Sequence, residues 1–352
     1  MNKGLAYDDV LLVPQRSPVE SRSDVDTTAQ VTPSIEVDVP IISAPMDTVT
    51  ERDMAQEIDN AGAIGIIHRF MPVEEQAEEI AAVDGTVGAA IGINEDWEAR
   101  ANAVLDAGAD FLCLDVAHGH MESALDVVTE MAEAFPDTDL MAGNVATAEG
   151  VIDLVEAGAD SVKIGIGPGS HCLTREVAGV GVPQFTAVQR AREGVHRLTA
   201  NGTVERDEVT IVADGGIRTS GDIVKALAAG ADTVMIGGLF SGCEESPAPT
   251  VECDGQRYKQ THGMASEKAR EENDEVEKGG AVEGASSYTP YVGSVATEIY
   301  DLARGVRSGL SYCGGRTIAE AQDNAEFIRV TQSTNERNGT HGVADSGPDD
   351  PR

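Results

Sequence analysis

Cysteine is scarce in this chain of 352 residues, and its five cysteines lie far apart along the sequence. None of them forms a Cys-x-x-Cys pair, so neither a disulfide framework nor a structural zinc site is indicated. No apolar run is long and charge-free enough to cross a bilayer, and the amino terminus has no apolar signal segment. We therefore expect an unprocessed protein of the reducing cytoplasm.

Positive charge is also scarce, with 25 Lys and Arg residues against 61 Asp and Glu residues and a formal net charge of −36. Such a chain repels other polyanions, which argues against binding to bare nucleic acid or to an anionic membrane. The acidic residues are spread along the whole chain rather than gathered in one tail. We interpret this as the surface of a protein from a salt-loving organism, in which salt screens the repulsion.

Short apolar runs recur along the chain and end in small or polar residues, which predicts eight buried strands. They lie at residues 39–43, 64–67, 86–92, 110–116, 139–144, 161–166, 210–213 and 233–237. Amphipathic helical patterns alternate with them, at residues 50–60, 73–82, 95–107, 121–134, 147–157 and 220–229. Ala-Gly-Ala segments, three of them extended by Asp, mark the joints where a glycine ends the helix. This alternation predicts a (β/α)8 barrel, with a doubly wound open sheet as the alternative.

Several of the predicted strands end in polar or glycine-rich residues, which favours the barrel because barrel chemistry gathers at the carboxyl ends of strands. Asp214-Gly215-Gly216 follows the seventh strand, and Gly237-Gly238 follows the eighth. Such barrels commonly hold a phosphate there on backbone N–H groups. Either glycine pair alone indicates only a turn, but the two together favour a phosphorylated ligand.

The most informative segment runs from Lys163 to Arg175 and is followed by Gly179-Val180-Gly181-Val182-Pro183-Gln184. It places Cys172 on a glycine-rich loop directly after the sixth strand. Glycines let the backbone approach a ligand closely, and Thr174 and Arg175 could supply a hydroxyl and a positive field to a thiolate. This pattern predicts a nucleophile. The alternative is a structural turn with a buried thiol.

More chain follows the eighth strand than one closing helix requires. Residues 265–284 are charged and weakly apolar, which is typical of a mobile flap over the strand ends; a plain solvated helix is the alternative for the first half. We expect the flap at about residues 254–292, within a single catalytic domain of residues 1–332. Residues 333–352, rich in Asn, Gly, Asp and Pro, predict a disordered acidic tail.

Several segments together resemble the IMP dehydrogenase and GMP reductase family. They are the Cys172 loop, residues 142–147, Asp214-Gly215-Gly216-Ile217, Gly263-Met264, Glu283-Gly284 and residues 327–331. They occur in the family's order over nearly the whole chain. The resemblance implies a (β/α)8 barrel, usually a homotetramer, that binds a purine nucleoside monophosphate and a nicotinamide dinucleotide.

The resemblance also implies a covalent step, in which Cys172 attacks C2 of the purine and the adduct exchanges hydride with the nicotinamide. In the reductase, ammonia leaves GMP first and NADPH then delivers hydride to give IMP. In the dehydrogenase, hydride leaves IMP first and water then hydrolyses the adduct to XMP. A thiolate suits both, because it adds to a ring carbon and leaves again once the bond order is restored.

A missing Arg-Tyr pair favours the reductase, because hydrolysis needs a base, whereas missing CBS modules alone decide little, because they are dispensable insertions. Dehydrogenases of this kind usually carry an Arg-Tyr pair on the flap, which activates water, and CBS modules after the second strand; this chain has neither. Residues 115–117 and Tyr258-Lys259 also look like the reductase, whereas residues 43–51, His68-Arg69 and Ile217 look like the dehydrogenase. We predict an NADPH-dependent GMP reductase. The alternatives are an IMP dehydrogenase without CBS modules and a catalytically silent nucleotide-binding barrel.

Individual roles follow from the resemblance. Cys172 is expected to be the nucleophile, and Thr174 and Glu283 the relay that protonates departing ammonia. The substrate is expected to contact Ser170, Gly216, Gly237 and Gly238 through its phosphate, Asp214 through its ribose, and Gly263 and Met264 through its purine. The dinucleotide is expected along Asp115, Asn144, Gly165 and Gly167. A potassium ion is expected on the backbone carbonyls of Gly167, Gly169 and Cys172.

Other features limit these assignments. Thr261 stands where dehydrogenases often have a phosphate-binding Tyr, and His171 replaces a small apolar residue beside the nucleophile. His171 could tune the Cys172 thiolate, or it could face outward from the loop. For Asp115 and Asp214 the alternative role is capping or turn formation at strand ends, and Glu283 could be one more surface acid of the flap.

Overall fold

Eight parallel strands form the centre of the molecule in the computed structural model, which describes residues 3–93, 96–272 and 281–335. Each strand pairs with the next along the chain, and β11 pairs with β4 to close the barrel. The strands are β4 Ile41–Ser43, β5 Ile64–Ile67, β6 Val87–Ile91, β7 Phe111–Asp115, β8 Leu140–Val145, β9 Ser161–Ile164, β10 Thr210–Asp214 and β11 Thr233–Ile236. The predicted (β/α)8 barrel is thus confirmed, and the open sheet is wrong.

Helices cover the outside of the barrel. They are α1 Arg52–Asn60, α2 Val73–Ala81, α3 Trp97–Asp106, α4 Glu122–Ala134, α5 Ala148–Glu156, α7 Gln184–Asn201, α8 Ser220–Ala229 and α10 Val295–Tyr312. The short helix α6 Thr174–Val177 instead lies in the loop after β9, at the carboxyl end of the barrel. All six helices predicted from periodicity occur, with ends that shift by two residues at most. In α10, which was not predicted, Ile299, Leu302, Val306 and Leu310 form a buried stripe at helical spacing.

The three Ala-Gly-Ala-Asp repeats, at residues 107–110, 157–160 and 229–232, join helix to strand in one manner. Each glycine has a positive φ, between 106° and 121°, which an L-residue rarely adopts. The Asp carboxylate that follows accepts a backbone N–H from the start of the preceding barrel strand, at 2.8 Å in each case. Burial raises the pKa of all three carboxyls. The repeat therefore ends a helix and also fixes where two neighbouring strands begin.

A short hairpin, β2 Ala29–Thr32 and β3 Ile35–Val37, covers the amino-terminal end of the barrel. Val31 of the hairpin is fully buried and packs with the side chains that fill the barrel interior, among them Ile42 and Phe111. Its carbonyl accepts hydrogen bonds from Ser161 Oγ at 3.0 Å and Thr210 Oγ1 at 2.8 Å. This end is closed, so the functional site is expected at the opposite, carboxyl end.

A three-stranded antiparallel sheet is inserted after β11, and it consists of β12 Thr250–Cys253, β13 Gln256–His262 and β14 Ser286–Pro290. The short helix α9 Glu267–Glu272 lies between β13 and β14, where a flap was predicted. Ala269 of α9 is fully buried, so this helix is not simply solvated. Residues 273–280 of the predicted flap lie outside the described residues, and its mobility stays a prediction.

The two ends of the described chain meet, because β1 Val10–Leu12 pairs antiparallel with β15 Phe327–Arg329, after α11 Ile318–Asn324. The first residues of the predicted tail, 333–335, belong to the short helix α12 Gln332–Asn335 and are therefore not irregular. The rest of that tail lies outside the described residues. No helix in the part of the chain that the structure describes is long and apolar enough to cross a membrane.

Candidate active site

A cavity of about 740 Å³ lies at the carboxyl ends of the barrel strands. Its walls come from the loops after β4, β9, β10 and β11 and from the inserted sheet. All ten residues predicted to be catalytic or to contact the substrate line it: Ser170, Cys172, Thr174, Asp214, Gly216, Gly237, Gly238, Gly263, Met264 and Glu283. The fold therefore brings together residues that are widely separated in the sequence.

The Cys172 loop is held in place by the segment that carries Glu283. Cys172 and Gly284 form an antiparallel bridge, and the Leu173 N–H donates to the Glu283 carbonyl at 2.6 Å. Gly284 is required here, because a Cβ at this position would lie 2.6 Å from the backbone nitrogen of Ser266. Backbone contacts thus fix the position of Cys172 relative to Glu283.

Cys172, Thr174 and Glu283 form a continuous line of side chains. Cys172 Sγ lies 3.3 Å from Thr174 Oγ1, which donates to Glu283 Oε2 at 2.6 Å. Cys172 is only partly buried and faces the cavity, unlike Cys113 and Cys243, whose pKa burial raises to about 12. Cys172 is therefore not a buried core thiol, and Glu283 is not simply a surface acid.

The two glycine pairs lie side by side in the cavity wall. Gly215 and Gly216 have φ values of 87° and 79°, which glycine adopts without strain. A Cβ at Gly238 would lie 2.6 Å from Ser170 Oγ, so the missing side chain leaves room for that hydroxyl. Two glycine turns and a serine hydroxyl thus face the same part of the cavity.

Lys163 lies buried in β9 between two carboxylates. Its Nζ contacts Asp115 Oδ1 closely and lies 3.3 Å from Asp214 Oδ2. Burial opposes the charge of Lys163, but the two carboxylates outweigh it and raise the lysine pKa. Asp115 and Asp214 are therefore ion-pair partners rather than capping residues. The sequence signal that was missed is one lysine in an otherwise uncharged, buried strand.

The four residues predicted for the dinucleotide do not line the cavity; they lie on neighbouring strand ends and in the loop after β9. Asn144 Nδ2 donates to Asp214 Oδ2 at 2.8 Å and to the Gly165 carbonyl at 3.0 Å, which links them to the cavity wall. Asn144 Oδ1 is buried without a hydrogen-bond partner among the described residues, so it can accept from a ligand. Gly167 has a φ of 81°, which an L-residue rarely adopts, so the loop after β9 needs a glycine there.

The three carbonyls predicted for potassium belong to one loop, and the Gly169 carbonyl accepts the Cys172 N–H at 3.2 Å. A carbonyl oxygen has two lone pairs, so this bond leaves room for a cation. Within the described ranges, no group of three or more His, Cys, Asp or Glu side chains could hold a metal ion. Oxygen ligands from the backbone fit a monovalent cation better than the side chains do.

His171 does not face outward. Its Nε2 lies 2.9 Å from Ser287 Oγ and 3.0 Å from Thr261 Oγ1, and its Nδ1 lies 3.2 Å from Ser170 Oγ. Burial, assisted by the nearby His262, lowers the His171 pKa. The ring thus packs as a neutral group against the inserted sheet.

Two buried residues of the cavity wall, Tyr7 and Gln184, were not predicted to have a role. Gln184 Nε2 donates to the carbonyls of Ile164 and Asp214, at 2.6 and 3.0 Å, and so joins the ends of β9 and β10. Gln184 Oε1 and the Tyr7 hydroxyl have no hydrogen-bond partner in the described part of the chain. Gln184 ends a motif that the sequence shows, whereas nothing in the sequence indicates Tyr7.

Residues 4–341 match the sequence model of the IMP dehydrogenase / GMP reductase domain. Inosine-5'-monophosphate dehydrogenase of Nitrosopumilus maritimus is 34% identical, with 99% of this chain and 98% of that protein covered. GMP reductase of Leishmania donovani is 31% identical, with 97% of each chain covered. The crystal structure of a GMP reductase variant from Trypanosoma brucei in complex with guanosine 5'-monophosphate has a TM-score of 0.91 and 29% identity, covering 98% and 99% of the two chains.

The two sequence alignments extend over 486 and 489 positions, whereas this chain has 352 residues. Both relatives therefore carry residues that this chain lacks, and a shorter chain does not separate reductase from dehydrogenase. The family itself is shown by the match over nearly the whole chain. The chain belongs to the IMP dehydrogenase / GMP reductase family, whose members are oxidoreductases of purine nucleotides that use a nicotinamide dinucleotide.

Proposed function

We propose that this protein catalyses the NADPH-dependent reductive deamination of GMP to IMP and ammonia. The observation that supports it is the line from Cys172 Sγ through Thr174 Oγ1 to Glu283 Oε2, with distances of 3.3 and 2.6 Å. A carboxyl that reaches the nucleophile through a hydroxyl can protonate a leaving amine. Residues 259–287 contain no tyrosine, so the Arg-Tyr pair expected of a dehydrogenase is absent.

In the proposed reaction the Cys172 thiolate adds to C2 of GMP and forms a C–S bond. The C2–N3 double bond becomes single in this step, and N3 takes a proton, which it loses again when the amine leaves. The C2–N bond then breaks as Glu283, acting through Thr174, protonates the departing amine, which leaves as ammonia. When bound, NADPH supplies a hydride to C2, so the purine is reduced and the nicotinamide is oxidised. The C–S bond breaks last, which releases IMP and restores the thiolate.

The other proposed roles are those that the family resemblance implies. The nucleotide is proposed to bind through its phosphate to Ser170, Gly216, Gly237 and Gly238, through its ribose to Asp214, and through its purine to Gly263 and Met264. The dinucleotide would bind along Asp115, Asn144, Gly165 and Gly167, where Asn144 Oδ1 is a free acceptor. A potassium ion would bind the carbonyls of Gly167, Gly169 and Cys172.

We also propose that the enzyme works as a homotetramer in the cytoplasm of a salt-loving organism. The net charge of −36 supports the last point, since dense carboxylates need screening. Large apolar side chains at the surface, including Val292, Tyr300 and Ile328, support an assembly that covers some of them.

Oxidation of IMP to XMP with NAD is the second candidate. It is favoured by the dehydrogenases among the relatives, of Nitrosopumilus maritimus and Borreliella burgdorferi, which at 34% and 35% identity exceed the 31% of the Leishmania donovani reductase. This difference in sequence identity is small, and it describes the whole chain rather than Cys172, Thr174 and Glu283. We therefore base the choice between reductase and dehydrogenase on the relay to Glu283 and on the missing Arg-Tyr pair.

The test is a pair of assays on the purified protein at molar potassium chloride. NADPH oxidation with GMP is followed together with ammonia release, and NAD reduction with IMP is followed together with XMP formation. We expect turnover in the first assay only. XMP formed from IMP without GMP reduction would establish the dehydrogenase, and silence in both with an unreactive Cys172 would favour the silent barrel.

Two variants test the relay. Glu283→Gln keeps an acceptor for Thr174 but removes the acid, so GMP reduction should fall about 100-fold. The matched control, Glu267→Gln, changes an exposed acid on α9 and should leave the rate within about twofold of wild type. Equal rates for the two variants would contradict the role of Glu283.

A further inference from the structure

A chain of hydrogen-bonded hydroxyl groups with a single imidazole in it lies behind one wall of the cavity. We call it the hydroxyl belt, and its members are Ser170, His171, Ser241, Thr261, Ser287 and Thr289. They come from three parts of the fold: the Cys172 loop, the turn after β11, and the strands β13 and β14. The belt therefore ties the nucleophile loop to the inserted sheet.

The belt begins and ends at the proposed phosphate position. From Ser170 Oγ it passes to His171 Nδ1 at 3.2 Å, and from His171 Nε2 to Thr261 Oγ1 at 3.0 Å. From Thr261 it passes to Thr289 at 3.0 Å, and from Thr289 to Ser241 Oγ at 3.3 Å. Ser241 Oγ in turn donates to the Gly238 carbonyl at 2.9 Å. Gly238 lies beside Ser170, since a Cβ there would be 2.6 Å from Ser170 Oγ.

We infer that His171 is a positioning residue for the phosphate of the nucleotide: its Nδ1–H donates to Ser170 Oγ, and this directs the Ser170 O–H toward a phosphate oxygen. The inference rests on the proposed function, because the phosphate is that of the nucleotide substrate. His171 is thereby added to a phosphate site for which the sequence predicted only Ser170 and three glycines.

The hydroxyl partners of the ring allow either tautomer, and the proposed role requires the one with the proton on Nδ1. In a neutral imidazole one nitrogen donates and the other accepts. Thr261 and Ser287 both present hydroxyls to Nε2, so either can donate to it while the proton stays on Nδ1. With the proton on Nε2 instead, Ser170 would donate its only hydrogen to His171 and present just lone pairs to an anion.

Burial makes this arrangement specific. Thr261 is fully buried, so water cannot replace a belt partner on that side. The sequence departs from the family pattern at His171 and Leu173, around the nucleophile, and at Thr261, where dehydrogenases often have a phosphate-binding Tyr. The structure hydrogen-bonds His171 and Thr261 to each other. These two departures therefore act together: the threonine leaves space for the imidazole and gives it a partner.

Binding is measured by protection of Cys172 from iodoacetamide in a Cys253→Ser background, because Cys253 is an exposed free thiol. We expect His171→Leu to weaken protection by GMP about tenfold, equal to about 1.4 kcal/mol, and to leave protection by guanosine unchanged. His171→Asn, which keeps a donor near the Nδ1 position, should recover most of the loss. His196→Leu, which changes an exposed histidine of α7, is the matched control.

The route through Ser170 is tested by a double-mutant cycle. Ser170→Ala should remove the effect of His171→Leu, so the losses in GMP affinity should not add. In the GMP complex of the wild type, 15N shifts of the His171 ring should show the proton on Nδ1, a result that a merely structural histidine does not require.

Several outcomes would overturn the inference. Equal losses for GMP and guanosine, additive losses in the cycle, or a proton on Nε2 would each show that His171 does not act on the phosphate through Ser170. If the His171 variants bound GMP as well as the wild type does, the inference about His171 would be overturned and the proposed function would stand. A wild type that neither binds nor reduces GMP would overturn the proposed function and the inference together.

Discussion

Replacing Thr174 by valine tests the relay at its centre. Valine has nearly the shape of threonine and the same branching at Cβ, so the first turn of α6 should be retained. The substitution removes the hydroxyl that lies 3.3 Å from Cys172 Sγ and donates to Glu283 Oε2 at 2.6 Å. The nucleophile and the carboxyl then remain in place without a path between them.

The size of the effect follows from the geometry. A hydrogen bond to a charged group contributes about 1.5–3 kcal/mol, and a positioned general acid contributes about 10²–10⁴-fold in rate. We therefore expect kcat for GMP reduction to fall about 100-fold. The free energy of unfolding should change by only about 1 kcal/mol, because Glu283 is partly exposed and water can replace the lost donor.

The assay follows NADPH absorbance and ammonia release in single turnovers, with Thr174→Ser as the control that keeps the hydroxyl. Thr174→Ser should retain at least about a third of the wild-type kcat, and iodoacetamide should still alkylate Cys172 in both variants. A Thr174→Val enzyme that reduces GMP at half the wild-type rate would refute the relay. Parallel loss in both variants would instead indicate a packing defect in α6.

Three further outcomes are expected. In the native protein at about pH 8, mass spectrometry should find Cys172 and Cys253 alkylated but not Cys113, because burial raises the pKa of Cys113 to about 12 and leaves almost no thiolate; rapid labelling of Cys113 would contradict its burial. Lys163→Met should lower the free energy of unfolding by about 3 kcal/mol in urea titrations, since it leaves two partly buried carboxylates without their cation. Melting temperature should rise between about 0.1 M and 1 M KCl, because the screening length falls from about 10 to about 3 Å around a charge of −36; a fall would contradict the electrostatic argument.

The barrel could be predicted because its signals are local. A buried parallel strand is a short apolar run, and the glycine of each Ala-Gly-Ala-Asp repeat ends a helix by taking a positive φ. The glycine pairs after β10 and β11 were predicted to share a site because the carboxyl ends of barrel strands meet at one face. The structure brings both pairs to the same cavity wall.

The parts of the fold and of the site that could not be predicted depend on contacts between segments that are distant in the sequence. The hairpin of β2 and β3 has strands of four and three residues, too short for a periodic pattern to stand out. Tyr7 enters the cavity wall because of where the amino terminus passes, and no local pattern encodes that. His171 could be identified as unusual, but its partners Thr261 and Ser287 are about a hundred residues away, so the sequence offered only an outward-facing or a thiol-tuning histidine.

The choice between reductase and dehydrogenase is a question of what Glu283 contacts. Its carbonyl accepts the Leu173 N–H and its carboxylate accepts the Thr174 hydroxyl, so Glu283 binds the nucleophile loop twice. Moving Glu283 away from the nucleophile loop would break both hydrogen bonds. These bonds therefore hold Glu283 and Cys172 in a fixed relative position. An amine that leaves C2 of the purine meets that acid at once, whereas hydrolysis of an adduct needs a base for water. The Arg-Tyr pair expected to supply that base in a dehydrogenase is absent from residues 259–287, and this is why we propose that the chemistry of this chain is that of the reductases.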